Sequence, residues 1–138
     1  MVNEKKLYTE WDNEFDCPIA DEDMVADYLE YIHEEGGYVV EFHTSRLFPE
    51  RWFDLVVLLR CDNTPLYDRL QARGYSEKKI RENIDCEILE VTADECKDSY
   101  KPEIIIELRN DVEEDVERNL QTIIECITKW VEMRKNQQ

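Results

Sequence analysis

Apolar positions recur along this chain at two different periods, and the alternation between them sketches a fold. Asp21 to Glu35 carries Met24, Val25, Tyr28, Leu29 and Ile32 at spacings of three and four, with Asp21 placed to cap the start and Gly36-Gly37 to stop the end. This predicts an amphipathic helix. Tyr38-Val39-Val40-Glu41-Phe42 follows as a β-branched and aromatic run, and Phe53 to Leu59 is almost continuously apolar, so both are expected to be buried strands. Asn63-Thr64-Pro65 then opens a helix running to about Arg73, with the proline in the first turn, where a missing N–H costs little.

A second helical stretch is expected from Ser76 to about Ser99, carrying Ile80, Ile84, Ile88, Leu89 and Val91 with Ser76 as its cap. Ile104 to Leu108 reads as a third strand. The strongest pattern is the last: from Asp111 to about Arg134, Val112, Val116, Leu120, Ile123, Ile124, Ile127, Trp130 and Val131 share one helical stripe, the expected core face. Helices following strands predict an α/β fold with a mostly parallel sheet and right-handed crossovers. At 138 residues, without a Gly/Ser-rich linker or a repeat, a single domain spanning 1–138 is expected.

Charge changes the picture. The chain carries a net charge of -17, distributed as -10 over residues 1–36, -1 over 37–59, +3 over 60–81 and -9 over 82–138. A surface this acidic repels nucleic-acid phosphates and argues against direct sequence-specific binding of DNA or RNA; a basic protein partner suits it better. No apolar run approaches the roughly 20 residues of a membrane-spanning helix. The five cysteines, at 17, 61, 86, 96 and 126, form no C-x-x-C pair, which points to free thiols in a reducing compartment, and they lack the close spacing of a zinc site even with His33 or His43.

The one basic region surrounds the turn Arg73-Gly74-Tyr75-Ser76, with Arg69, Lys78, Lys79 and Arg81 beside it. Phosphoryl transfer needs positive charge brought to a migrating group and water excluded as it moves, so a hinged segment carrying Arg73, Lys78 and Lys79 suits a lid. A solvated basic helix-turn-helix fits the same residues. Glu41 and His43 lie two apart at the end of an expected strand, where α/β sheets border their ligand crevice. There Glu41 can hold a water on Mg²⁺ and His43 can position or deprotonate a nucleophile; an ordinary hydrogen-bonded strand end explains the pair as well. In Phe48-Pro49-Glu50-Arg51-Trp52, Arg51 can fork onto a phosphate above Trp52, or the segment is a turn anchored by a buried tryptophan.

Taken in order, Asp16-Cys17-Pro18-Ile19, Asp21-Glu22-Asp23, Gly36-Gly37, Phe48-Pro49-Glu50-Arg51-Trp52, Arg73-Gly74-Tyr75 with Glu77-Lys78-Lys79, Cys86-Glu87-Ile88 and Ser99-Tyr100-Lys101 resemble the nuclear adenylate kinase isoenzyme 6 family, also called coilin-interacting nuclear ATPase. The resemblance runs from near Met1 into the last helix. It implies a P-loop nucleoside monophosphate kinase fold, phosphoryl transfer from ATP/Mg to AMP, an ATPase activity, residence in the nucleus with the cytoplasm as a second location, and a part in maturing the small ribosomal subunit. Its implied partners are adenine nucleotides and a basic small-subunit ribosomal protein or nuclear scaffold. Arg73 matches the family's ATP-contacting lid arginine, residues 72–82 its lid, and His43 the histidine of its Asp-x-His motif.

Two departures bear on activity. Glu41 stands where the family has Asp, one methylene longer. Glycine occurs only at 36, 37 and 74, so these 138 residues hold no G-x-x-x-x-G-K-[ST] phosphate loop. Met1 aligns inside the family's monophosphate-binding region, and the expectation is a partial fold lacking the central first strand, with impaired turnover or a purely binding role.

Overall fold

Short-range signals in the sequence build most of the helices of the computed structural model, which describes residues 2–13 and 17–136. The elements in order are α1 (Val2–Lys5), β1 (Tyr8–Asp12), β2 (Cys17–Ala20), α2 (Glu22–His33), β3 (Val56–Arg60), α3 (Asn63–Ala72), α4 (Glu77–Ile88), α5 (Val91–Ser99), β4 (Ile105–Arg109) and α6 (Glu113–Lys135), with 3₁₀ turns at Glu50–Trp52 and Pro102–Ile104. The class is mixed α/β. Asp16, the first residue of the Asp16-Cys17-Pro18-Ile19 motif, lies outside the described residues.

The predicted caps operate. Asp21 accepts from the Met24 N–H at 3.0 Å and starts α2; Ser76 accepts from the Lys79 N–H at 3.3 Å and starts α4. Gly74, at φ 76°, closes α3: its N–H donates to the Gln71 carbonyl and that of Tyr75 to Leu70, a pairing that needs a left-handed residue in between.

β3 and β4 pair in parallel, Val56 opposite Ile105 through Arg60 opposite Arg109, as the α/β rhythm predicts. Leu58 packs with Ala93, Cys96 and Tyr100 in one buried cluster, and Leu7, Val25, Leu29 and Phe48 form a second. Phe53 packs against both clusters, and the Tyr100 hydroxyl ties them further by donating to the carbonyls of Ser45 (3.0 Å) and Phe48 (3.3 Å).

Three expectations are corrected. Tyr38–Phe42 is not a strand: no described strand runs beside it to complete a ladder, and Val39 is 98% exposed. The period-two pattern survives only as an extended segment whose Val40 and Phe42 pack on the second cluster while Glu41 and His43 stay exposed. The helix expected from 76 to 99 is broken into α4 and α5 at Glu90, which adopts φ 55°. The break is a tertiary demand: Arg60, buried at the end of β3, donates to the Glu87 carboxylate (2.7 Å), the Glu87 carbonyl (3.4 Å) and the Glu90 carboxylate (3.2 Å).

The α6 stripe, expected as core, is largely open; Val116, Leu120, Ile124 and Ile127 are each about half exposed because none of the described elements lies over them. Finally, β1 and β2 form an antiparallel hairpin that the hydrophobic pattern does not signal, since Trp11 and Ile19 remain exposed on it.

Candidate functional site

The carboxyl ends of β3 and β4 border a cavity of about 510 Å³, at the position where open α/β sheets hold ligands. Its apolar walls are Leu59 from β3, Leu66 and Leu70 from α3, and Val116 from α6. Three arginines line it as well, Arg60, Arg69 and Arg73, and their states differ.

Arg60 is committed to protein. Besides Glu87 and Glu90 it faces Glu107 at 3.6 Å, and the Glu87 hydrogen bond, more than any other contact, raises its pKa. Arg69 is committed too: its guanidinium donates to the carbonyls of Asn110 (2.5 Å) and Asp111 (2.9 Å) and touches the Cys61 sulfur at 3.4 Å, fixing the loop after β4. Arg73 is different. It is exposed, caps the end of α3 beside Gly74, and its side chain makes no ion pair or hydrogen bond with another described residue.

The floor around these residues is rigid. The Asp111 carboxylate accepts from the Asp62 N–H (2.6 Å) and from Arg109 (3.0 Å to each oxygen), and Arg109 also binds Asp62, so the ends of β3 and β4 are clamped together. The Asp62 N–H first, then Arg109, holds the Asp111 carboxyl below the usual range. Asp115 accepts from the N–H groups of Asp111 and Val112 and anchors the first turn of α6. Burial pushes the Cys61 thiol up, which keeps it neutral.

Of the basic residues singled out around the turn, Arg69 and Arg73 line the cavity, and of the residues assigned a nucleotide, metal or catalytic role only Arg73 does. Lys79 lies over the Tyr75 ring at 4.4 Å, bracing the turn after Gly74, and Lys78 is on the exposed side of α4. Arg51 pairs with Glu30 at 3.0 Å and sits 5.9 Å from the Trp52 ring, which itself stacks on His33 at 5.2 Å. Glu41 and His43 are on the extended segment and are not among the cavity residues; the His43 ring packs on Phe42 at 4.5 Å. Among the described residues, no three His, Cys, Asp or Glu side chains are grouped to hold a metal ion.

Sequence reading overlooked Cys61, Leu66, Asn110, Glu113 and Val116 as lining residues. None carries a signal alone. Leu66 is on α3, Glu113 and Val116 are on α6, and Cys61 and Asn110 follow β3 and β4; only the crossover from β4 into α6 brings them together.

Comparison with known proteins supplies the identity of this arrangement. A family model described as an AAA domain matches residues 1–90. The chain is 49% identical over 131 residues to an adenylate kinase isoenzyme 6 homolog of Dictyostelium discoideum, covering 95% of this chain and 75% of that protein. It is 43% identical over 130 residues to the homolog of Drosophila melanogaster (94% and 74%), and 46% identical over 114 residues to the homolog FAP7 of Saccharomyces cerevisiae (83% and 58%). A chain with this identity over most of its length belongs to the adenylate kinase isoenzyme 6 family.

Proposed function

We propose that the cavity at the ends of β3 and β4 takes the base and ribose of an adenine nucleotide, with Arg73 meeting its phosphates. The observation that carries this reading is the contrast among the three arginines. Arg60 and Arg69 are neutralised or tied to carbonyls, whereas Arg73 stands uncommitted on a glycine hinge above apolar walls. A guanidinium so placed can stack on a base or fork onto a phosphate.

The reaction proposed from the family is phosphoryl transfer between ATP and AMP together with ATP hydrolysis, in the nucleus and in support of small ribosomal subunit maturation. Turnover by these 138 residues is proposed to be impaired. They contain no glycine-rich loop whose N–H groups would cradle the phosphates, and preorganised donors of that kind supply much of the electrostatic stabilisation in such sites.

Titration with ATP followed by calorimetry tests the binding reading: saturable binding weakened about tenfold by Arg73→Ala is expected, in line with loss of one charge-assisted hydrogen bond. Absence of saturable binding, or binding indifferent to Arg73→Ala, would overturn it. A coupled assay of ADP formation tests impairment, with a rate at least about a thousandfold below a relative carrying the phosphate loop expected. Equal rates would reject impairment.

A second reading is favoured by the charges of -10 over residues 1–36 and -9 over 82–138. On that reading the chain is an acidic binding protein for a basic ribosomal protein or nuclear scaffold. Salt-sensitive capture of a basic small-subunit ribosomal protein without nucleotide supports it, and failure to bind at low salt rejects it.

A further inference from the structure

The turn that follows Glu41 and His43 is gripped by one carboxylate from α5. The Thr44 hydroxyl donates to one oxygen of Glu95 at 2.7 Å, and the Arg46 guanidinium meets the other at 3.2 Å. Thr44 Oγ1 also accepts from the Arg46 N–H at 3.4 Å, so a single hydroxyl both closes the turn and ties it to a helix 51 residues further along the chain. The Glu95 side chain is 14% exposed against 75% for Arg46, which makes the carboxylate the anchored partner and Arg46 the outer one.

α5 is itself fixed. Ala93 and Cys96 are buried with Leu58 of β3, and Tyr100, directly after the helix, donates to the carbonyls of Ser45 and Phe48. Residues 44–48 are therefore held at two points, both supplied by one short stretch of chain, and the first point is one residue from His43. The extended segment before it has no ladder among the described residues; Val40 and Phe42 hold it by packing, and the His43 ring rests on Phe42 at 4.5 Å. Apolar packing is non-directional, whereas a hydrogen bond to a carboxylate fixes distance and angle. The contact that sets where the chain turns after His43 is thus that of Thr44 with Glu95.

We propose that Glu95 is a positioning residue for His43: through Thr44 it fixes the backbone from which the imidazole projects. This rests on the phosphoryl-transfer reading, in which His43 orients or deprotonates the attacking group. Such a role tolerates little displacement, since an error of about 1 Å costs on the order of a hundredfold in rate. Glu95 is not a cavity residue, so it acts on the chemistry and not on nucleotide affinity.

Imidazole signals in a proton–carbon NMR spectrum test this, because the chain has two histidines and His33→Gln assigns them. His33, stacked on Trp52, reports the intact fold. Glu95→Ala and Thr44→Val should each move the His43 signals toward those of a free imidazole while leaving His33 in place. Glu95→Gln, which keeps an acceptor for Thr44, and Thr44→Ser, which keeps the donor, should restore them. Thr44→Val leaves Glu95 in place and decides the question should Glu95→Ala fail to fold. His43 signals that stay unchanged, or that neither conservative variant restores, overturn the proposal; so does movement of both histidines together, which marks a general loosening. Residual ATP hydrolysis should fall at least about tenfold in Glu95→Ala at an unchanged KM, and equal rates overturn the positioning role. ATP titration separates the two readings: no saturable binding by the parent chain counts against the cavity, and the imidazole signals then still decide whether Glu95 holds His43.

Discussion

Two apolar runs of similar character met different fates in this molecule. Val56–Arg60 and Tyr38–Phe42 are both short, rich in β-branched or aromatic residues and followed by polar turns, yet the first is a ladder strand with Leu58 buried and the second is an extended segment with Val39 in solvent. What separates them is not composition. β3 has β4 to receive its hydrogen bonds and α5 to cover Leu58, whereas Tyr38–Phe42 has a cluster under Val40 and Phe42 but no neighbouring strand among the described residues. β-propensity measures how well a residue fits a pleated, half-buried surface, and that surface must be supplied by something else.

The contrast can be broken most directly by truncating one residue in each run. Leu58→Ala should cost about 3 kcal/mol, because the cavity left against Cys96 and Tyr100 has rigid walls, while Val39→Ala should change stability by less than about 0.5 kcal/mol. Urea denaturation of both variants checks this, and equal losses would show that Val39 is covered in solution. Next in size is Arg60→Ala, which leaves Glu87 with its carboxylate partly buried and no partner guanidinium; a loss of about 2 kcal/mol is expected. The same change should speed amide exchange around Leu89 and Glu90 if Arg60 holds the break between α4 and α5, and unchanged exchange there would assign the break to local sequence.

The smallest effect concerns Tyr100, whose hydroxyl joins the β3 side to the loop beyond the extended segment. Burial raises its pKa to about 12 from an ordinary value near 10. The folded state thus favours the neutral phenol: its contribution is complete below pH about 10 and is lost as pH rises from about 10 to 12. Tyr100→Phe should cost about 1 kcal/mol at neutral pH through loss of the bonds to Ser45 and Phe48, and should remove this alkaline decline from the stability profile. A decline that persists in Tyr100→Phe would assign it to another group.

The candidate site was only partly legible. Arg73 was readable because its signal is local: an arginine next to a glycine that must take a positive φ, ahead of a capped helix. Arg60 and Arg69 stood in the same basic cluster, but nothing in the sequence says that their charge is spent on Glu87, Glu90 and the carbonyls of Asn110 and Asp111, which lie 27 to 42 residues away. Glu41 and His43 were read as strand-end residues on the strength of a strand that has no partner here.

By itself the sequence determined the family, through the order of its motifs, and determined α2, α3, the start of α4 and the turn at Gly74, because caps and left-handed glycines act within four or five residues of chain. Only the tertiary structure decided which apolar run became a strand, where the helix after Ser76 breaks, which arginines are spent on protein contacts, and that the α6 stripe is left open among the described residues. Each of these depends on a partner distant in sequence, and a ladder, a buried ion pair or a covered face exists only when the fold delivers that partner.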